Sequence, residues 1–495
     1  MIRPLSRMNF HRPSHSQLVF GLAFMLFLVL SGLGTWFHEP WSDELQAWLI
    51  ARDLSIPAIW NIMAVEGHFM LWHLCILPLA KSGLPPESMC WLAWCLNAFT
   101  GWMMLYRTHL PRWCRILMLF TAPMLYFYAS TARPYVLLPP LLLLTACLYP
   151  KRDAHPFRYG LLIALIAQIH IFCEGIAAAL FLEWVWAMRH DFKTRRATAL
   201  LIPPCSALFA FLQVVGAFKR SAWTSMIPGH EGAFSFRQGM HSQLSGMAEF
   251  WMDMPHLWTG CIPIAFLLCF TIAVIICSKH HRPILMIWLV GALWMFACTI
   301  FLWFWAYQRT ALLLYLAFFV SMLIYLVPKP QGRQSLFVSV ALTLLALSTC
   351  WTGFRWLWND IQRPAASFQQ VGRFLQKNYP PGQIVVCHPD FCTQVSAFAP
   401  DLAFFNLLNG ERRTYYDASK KALQMPQVSV NELMPIILEQ DCPMVFNRLR
   451  FQQFAQRFPT HFPDLRLECV LPFQDTLYQP DDFCIIVVRP NVSFN

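Results

Sequence analysis

The stretch of sequence best suited to chemistry runs from His38 to Glu44, directly after a long apolar segment. It places the carboxylates of Glu39, Asp43 and Glu44 within seven residues, at the point where the chain would leave a membrane. Charges just outside a membrane are usually solvated and have no further role. The alternative is that the cluster faces a substrate, and the remaining polar residues bear on that choice.

Further polar residues of both signs of charge lie at the ends of predicted membrane segments, and each alone has an ordinary alternative. Asp43 is suited to cap a helix, and Arg133 to extend towards lipid headgroups. His170 is suited to pack between helices, and Arg309 to be a simple boundary charge. Their common placement on one predicted face indicates a polar cavity open to that side. The candidate site residues are Asp43, Glu44, Glu66, His68, Arg133, Tyr135, His170, Glu174, Gln308 and Arg309.

The segments that would position these residues are long and apolar. Of the 495 residues, 57% are hydrophobic and 13% are charged, whereas a soluble protein averages about 25% charged residues. Apolar runs of about 20 residues recur, and each is long enough to cross a bilayer. The composition therefore predicts a polytopic α-helical membrane protein. The candidate spans are residues 17–37, 88–106, 113–129, 134–149, 157–172, 173–188, 197–218, 258–278, 283–304, 310–327 and 334–352.

The charges between these segments predict the topology. Six segments (1–16, 107–115, 151–158, 189–196, 279–282 and 328–333) hold seventeen Lys or Arg and two acidic residues, whereas the alternate loops hold seven and ten. By the positive-inside rule the first set is cytoplasmic, so the acidic cluster after the first span is external. The net charge of +11 then reflects this asymmetry rather than a nucleic-acid partner. The basic N-terminus and the first apolar run predict a retained signal anchor.

A further apolar piece, residues 69–80, contains a proline and is too short to span a membrane. We expect it to be re-entrant or to lie along the interface. Residues 38–87 then form one long outer loop, with a helix at 43–55 because Leu45, Trp48 and Leu49 share one face. This assignment gives about eleven transmembrane helices, a second outer loop at 219–257 and an external C-terminus.

The composition changes near residue 355, where Pro, Gln and charged residues become more frequent. Apolar strand-like runs at 384–387, 444–446 and 483–488 alternate with helical patterns at 367–377 and 431–439. We therefore predict a transmembrane catalytic domain over 1–354 and a soluble α/β domain over 355–495. Cys387 and Cys392 in that domain are consistent with a disulfide in an oxidising compartment, with free thiols, or with a metal site.

Three short motifs resemble those of the GT-C glycosyltransferases. Residues 39–44 (Glu-Pro-Trp-Ser-Asp-Glu) resemble the acidic motif of the first outer loop, and residues 66–72 (Glu-Gly-His-Phe-Met-Leu-Trp) the motif that follows it. Residues 132–135 (Ala-Arg-Pro-Tyr) resemble the Arg-x-Tyr signature at an outer helix end. Phe69 stands where many relatives have proline. The resemblance is to the bacterial lipid A aminoarabinose transferase and lipopolysaccharide core glycosyltransferase types, and more distantly to protein O-mannosyltransferases.

The resemblance implies a GT-C-like fold and an enzyme of the bacterial cytoplasmic (inner) membrane. Such an enzyme transfers a sugar from a polyprenyl-phosphate donor to a lipid, glycan or protein acceptor, here on the outer face. The expected stereochemical outcome is inversion. Asp43 would serve as the base, and Arg133 and Arg309 would bind the leaving phosphate. Glu44 or Glu66 would position the sugar, or hold a divalent metal (Mg or Mn) if one is used; no other cofactor is implied.

Functions of other classes remain open at this stage. A transporter or flippase for a lipid-linked or anionic substrate would also use charges within the membrane. The sequence has no paired broken helices of the kind such transporters use, and its polar residues lie at one face rather than at the midplane. A membrane O-acyltransferase would need a catalytic histidine deep in a span, for which His170 is the modest candidate. A non-catalytic scaffold would not need the grouping of Asp43, His68 and Arg133.

Overall fold

The computed structural model describes most of the first 215 residues and parts of the remainder. The described residues are 15–66, 69–189, 196–215, 272, 275, 282–302, 333–363, 367–387, 389–406, 414–415, 417, 442–447, 465–473 and 483–490.

The described residues up to 215 are mostly helical. The helices are α1 (His15–Phe37), α2 (Ser42–Asp53), α3 (Ile56–Glu66), α4 (Leu71–Lys81), α5 (Glu87–Arg107), α6 (Arg112–Leu119), α7 (Tyr128–Ser130), α8 (Leu138–Leu148), α9 (Pro156–Ala167), α10 (Ile171–Met188), α11 (Arg196–Ala199) and α12 (Ile202–Val214). Three short pieces of other helix types lie at Pro123–Phe127 (π), Pro134–Leu137 and Tyr149–Lys151 (both 3-10).

Helix α1 is apolar along its whole length and packs against α5, α7 and the later helix Arg333–Gln362. Its two inward hydroxyl side chains are satisfied by carbonyl groups. Ser31 donates to the carbonyl of Phe27 at 2.7 Å, and Thr35 donates to that of Ala129 at 3.0 Å. Bonds to carbonyl groups remove the cost of placing hydroxyl groups in an apolar environment, so α1 buries them next to the short helix α7.

Two predicted spans are broken rather than continuous. The chain over 113–129 consists of α6, a π-helical turn that starts at Pro123, and α7. The chain over 134–149 starts with a 3-10 turn at Pro134 before α8 begins. Proline lacks a backbone N–H and interrupts an established helix. The interruption leaves residues 131–133 between helices, in a non-helical connection.

Among the described residues, three helical stretches are long and apolar enough to cross a membrane: His15–Phe37, Ile171–Met188 and Ala197–Val214. The predicted spans 258–278 and 310–327 lie mostly or wholly outside the described residues. Helix α4 has only 11 residues and contains Pro78, as expected for the short apolar piece 69–80. Helix α2 occupies the position predicted for a helix at 43–55.

Two long helices follow, α13 (Arg282–Leu302) and α14 (Arg333–Gln362). Helix α14 extends to Gln362, so the expected domain boundary at 354–355 falls inside it. It packs against α1, α6 and the π-helical turn. A side chain at Gly353 would place its Cβ 2.8 Å from Ala122 Cα, so glycine permits this close approach. The C-terminal end of α14 thereby reaches the end of α1.

The remaining described elements form a five-stranded sheet with two helices, α15 (Phe368–Asn378) and α16 (Pro389–Ala397). The strands are β1 (Ile384–Cys387), β2 (Ala403–Asn406), β3 (Pro443–Asn447), β4 (Leu465–Phe473) and β5 (Phe483–Pro490). Their order is β2-β1-β3-β5-β4; β1 runs parallel to β2 and β3, and β5 antiparallel to β3 and β4. Cys387 and Cys392 are buried free thiols. The helix expected at 431–439 lies outside the described residues.

This sheet region contacts the loop that follows α1. Helix α16 packs against α2, and the backbone N–H of Gln369 donates to Glu39 Oε1 at 2.9 Å. Arg373 pairs with Glu87 at the start of α5, and the Thr414 hydroxyl bonds to Asp53 at the end of α2. Both ends of the segment that carries the acidic cluster therefore contact the C-terminal part of the chain.

Candidate active site

Asp43 and Arg133 form an ion pair at the start of α2. Asp43 Oδ2 lies 3.1 Å from Arg133 Nη1, and the two side chains are 43% and 6% exposed. The N-cap of α2 is Trp41, and Asp43 is the second helical residue. Capping, one alternative for Asp43, is therefore not its role in this structure. A carboxylate near a helix N-terminus is favoured by the helix dipole.

Arg133 lies between helices because of the proline that follows it. Its backbone is extended, with φ −111° and ψ 161°, as expected for a residue that precedes proline. Its N–H donates to the Thr131 carbonyl, and its own carbonyl accepts from the Val136 N–H, both at 3.0 Å. These bonds fix the backbone from which the guanidinium reaches Asp43. Extension to lipid headgroups, the other interpretation of Arg133, does not describe this buried side chain.

Glu44, expected to bind substrate, is completely buried and bonded to protein groups through both oxygens. Its Oε2 accepts from His38 Nε2 at 3.1 Å and from the Trp41 N–H at 3.0 Å. Its Oε1 accepts from the backbone N–H of Ala132. Glu44 thus holds the first turn of α2 against the segment that carries Arg133.

His38 and Asp360 complete this cluster and were not among the predicted site residues. His38 Nδ1 lies 3.2 Å from Asp360 Oδ2, which also accepts from the Tyr126 hydroxyl at 2.7 Å. Burial alone would lower the pKa of His38, but the carboxylates of Glu44 and Asp360 together raise it to about 10. His38 is therefore an imidazolium between two carboxylates. Its position within the acidic stretch was the available signal; Asp360 is distant in sequence and gave none.

Glu66 lies close enough to the Asp43–Arg133 pair for both charges to affect it. Its Oε1 accepts from Gln46 Nε2 at 2.9 Å. Burial raises the pKa of Glu66 to about 7; the Gln46 bond and the Arg133 charge oppose this rise, and the Asp43 charge adds to it. A carboxyl group with this pKa changes its charge near neutral pH.

The segment after Glu66 is held by a chain of amide groups. The Met70 N–H donates to Gln213 Oε1, and Gln213 Nε2 donates to Gln168 Oε1, both at 2.8 Å. Gln168 continues to Ser206 on α12. Polar bonds of this kind connect helices within apolar surroundings. The predicted site residue His68 lies outside the described residues.

Tyr135, His170 and Glu174 form a second group. The rings of Tyr135 and His170 have centroids 5.0 Å apart. His170 is the N-cap of α10, and its Nδ1 accepts from the Phe172 N–H at 3.2 Å. Glu174 is half-buried in the first turn of the same helix. Tyr135 follows Arg133 by two residues, which connects this group to the segment that carries the ion pair. Gln308 and Arg309 lie outside the described residues.

Within the described ranges, His, Cys, Asp and Glu side chains do not gather in any group of three or more that could hold a metal ion. The charges of both Asp43 and Arg133 act on Glu66, which directly precedes residues 67–68, outside the described ranges.

The chain is similar to solved structures in its fold, although its sequence matches no known family. No family model and no characterised protein matches the sequence. Among solved structures, ArnT from Cupriavidus metallidurans bound to undecaprenyl phosphate is similar, with a TM-score of 0.58 and 12% identity over 97% of this chain and 99% of that one. Its apo form has a TM-score of 0.54 and 12% identity over 94% and 98% of the two chains. The chain therefore has the fold of ArnT over nearly its whole length, which agrees with the fold expected from the three motifs.

Proposed function

We propose that this chain is an integral membrane glycosyltransferase of the GT-C type. It transfers a sugar from a polyprenyl-phosphate donor to a lipid, glycan or protein acceptor of the cell envelope, on the outer face of the cytoplasmic (inner) membrane. The fold similarity to a structure determined with undecaprenyl phosphate supports the lipid carrier. The charge asymmetry of the loops supports the external location of the site, the eleven spans and the external C-terminal domain.

The observation that carries the proposal is the pairing of Asp43 with Arg133 at 3.1 Å. The pair brings together two residues 90 positions apart, each from a motif that resembles a GT-C motif. One has the chemistry of a general base and the other the chemistry of a phosphate ligand. Asp43 is partly exposed, so an acceptor hydroxyl has access to it, whereas the Arg133 side chain is buried.

In the proposed reaction, Asp43 accepts the proton of the acceptor hydroxyl as its oxygen attacks the anomeric carbon. The bond between that carbon and the phosphate oxygen breaks, and polyprenyl phosphate leaves with the bonding electrons. Direct displacement inverts the anomeric centre. Arg133, with Arg309 as a second candidate, stabilises the charge that develops on the phosphate. The proton on Asp43 then passes to solvent or to the released phosphate.

The remaining predicted residues are assigned to binding the sugar and acceptor. Glu66 changes charge near neutral pH and lies next to the ion pair, so it is suited to position sugar hydroxyl groups or a divalent metal. Tyr135 and His170 are buried against each other, so they are suited to support the wall of the site. Glu174, half-buried in the first turn of α10, is the member of this group that a substrate can reach. His68 and Gln308 retain their proposed substrate-binding roles.

The proposal is tested by mass analysis of envelope lipids and glycans from cells with and without the gene. A missing hexose-sized or aminosugar-sized increment on an envelope component supports transfer and identifies both the sugar and the acceptor. Complementation with wild type should restore the increment, and complementation with Asp43→Asn should not. If the chain were a transporter or flippase, a lipid-linked sugar would accumulate in cells without the gene. Asp43→Asn would then not yield a protein that binds the lipid carrier but fails to turn over.

A further inference from the structure

We propose that Glu44, His38 and Asp360 form a positioning network that sets the geometry of the Asp43–Arg133 pair. This inference rests on the proposed function for its kinetic consequence, but its structural consequence is measurable without any reaction. It gives Glu44 the role of a positioning residue instead of a direct substrate ligand.

The network joins three parts of the chain that are distant in sequence. His38 follows α1, Glu44 lies in the first turn of α2, and Asp360 lies near the end of α14. The His38 ring contacts Glu44 Oε2 through Nε2 at 3.1 Å and Asp360 Oδ2 through Nδ1 at 3.2 Å. The Tyr126 hydroxyl adds a third contact, to Asp360 at 2.7 Å. The imidazolium thus bridges two carboxylates from different helices.

These contacts are buried, so the loss of one of them costs more free energy than the loss of a contact at the surface would. The side chains of His38 and Asp360 are 8% exposed, and that of Glu44 is not exposed at all. A buried charge is tolerated when it is paired and hydrogen-bonded, and removal of one partner leaves the other uncompensated. Loss of the Asp360 charge would therefore weaken the contact that fixes the His38 ring. A less fixed His38 ring would in turn constrain Glu44 less.

Glu44 connects the two backbones that carry the ion pair. Asp43 is its neighbour in the first turn of α2, and the Ala132 N–H that donates to Glu44 Oε1 belongs to the residue before Arg133. One carboxylate therefore fixes α2 and the non-helical segment 131–133 relative to each other. Catalysis depends steeply on such placement, since a displacement of about 1 Å can cost about 10²-fold in rate.

The same network extends towards the C-terminal sheet region. Asp360 lies at the end of α14, which is followed by α15, and the Gln369 N–H of α15 donates to Glu39 beside the acidic cluster. The residues that receive these two contacts, His38 and Glu39, both lie in the segment between α1 and α2. The position of α14 and α15 is therefore linked to the position of Asp43 through His38 and Glu39.

The test compares Asp360→Asn with Glu183→Gln. Glu183 is a matched control because it is a buried carboxylate that also accepts from a tyrosine hydroxyl, that of Tyr149 at 2.7 Å, and pairs with a cation, Arg152 at 3.2 Å. It takes no part in the proposed site. Amide hydrogen exchange of a peptide that covers 127–137, turnover, and melting temperature are measured for both variants and for wild type in detergent or nanodiscs.

We expect Asp360→Asn to speed exchange at the Ala132 and Arg133 amides by about tenfold or more, and to lower kcat by about tenfold or more, with donor KM little changed. Glu183→Gln should lower the melting temperature without either effect. If Asp360→Asn fails to fold, Tyr126→Phe, which removes one hydrogen bond of the network, is expected to give the same two effects in milder form.

Unchanged exchange at 127–137 in a folded Asp360→Asn protein would overturn the network. Faster exchange with wild-type kcat would overturn its positioning role. Wild-type protein that transfers no sugar would instead overturn the proposed function, and the exchange measurement would still decide the structural part.

Discussion

The carboxylate of Asp43 lies 3.1 Å from the guanidinium of Arg133, and the acid is the exposed partner of the pair. The ion pair therefore has an accessible anionic side and a buried cationic side. In the proposed reaction these two sides face the acceptor and the phosphate respectively.

Arg133→Lys should lose most activity with normal expression. A guanidinium offers two parallel hydrogen bonds to phosphate, whereas an ammonium is a point charge that cannot reproduce that planar fork. We expect the loss to appear in kcat and in apparent affinity for the lipid donor. Arg152→Lys is the matched control, because Arg152 is also largely buried and paired with a carboxylate. Full turnover and full donor affinity in Arg133→Lys would remove its role as a phosphate ligand.

His38 should make stability depend on pH on the alkaline side. Its pKa is raised from 6.5 to about 10 in the folded protein, so its stabilising contribution is complete below pH 6.5 and is lost as pH rises through 10. We expect the melting temperature of wild type to fall more steeply than that of His38→Gln over this window. Parallel curves for the two proteins would show that His38 is not held as an imidazolium.

Glu66 should affect stability in a lower pH window. Its pKa is raised from 4.5 to about 7, so the folded protein binds more protons than the unfolded chain between these values. Stability attributable to Glu66 is therefore present below pH 4.5 and lost as pH rises through 7. Glu66→Gln should remove this part of the pH dependence of the melting temperature. An unaltered dependence would mean that Glu66 ionises at its ordinary pKa.

The predicted topology is tested with reporter fusions. A reporter after Lys151, Arg196 or Lys279 should report a cytoplasmic location, and one after Gln243 or Gly382 an external location, because basic loops remain inside. A cytoplasmic reporter signal after Gly382 would overturn both the external C-terminal domain and the assignment of 69–80 as a non-spanning segment.

The elements that were predicted correctly are those with a local signal. Helix α2 was expected because Leu45, Trp48 and Leu49 share a face, and β1 coincides with the apolar run 384–387. Strands β2 and β4 were not predicted. The connection at 131–133 agrees with the turn predicted between the spans 113–129 and 134–149, but the helix breaks at Pro123 and Pro134 within those spans were not predicted.

The site was predicted in part, and the missing part is long-range. Asp43 and Arg133 were named from their motifs, and the structure brings them together. The contacts of Glu44 and Asp360 were not predicted because each joins residues far apart in sequence: Glu44 accepts from the Ala132 N–H, and His38 bonds to Asp360, 322 residues further along. Periodicity and motif spacing carry no information on such pairs, which form only when α14 packs against the end of α1.

The most direct test of the account is the turnover of Asp43→Asn. The substitution keeps the size of the side chain and removes its charge and nearly all of its basicity. General-base catalysis contributes about 10² to 10⁴ in rate. Asp53→Asn is the control: Asp53 lies at the far end of α2 and bonds to Arg52 and Thr414, contacts for which an amide oxygen remains an acceptor.

The measurement is the rate of sugar transfer from a polyprenyl-phosphate donor to the acceptor identified by mass analysis. It is made on purified wild type, Asp43→Asn and Asp53→Asn, with donor binding and melting temperature determined on the same samples. The account predicts that Asp43→Asn inserts, binds the donor and turns over about a hundredfold or more slowly than wild type, while Asp53→Asn is much milder. A folded Asp43→Asn protein that transfers sugar to the acceptor at the wild-type rate would contradict the assignment of Asp43 as the catalytic base.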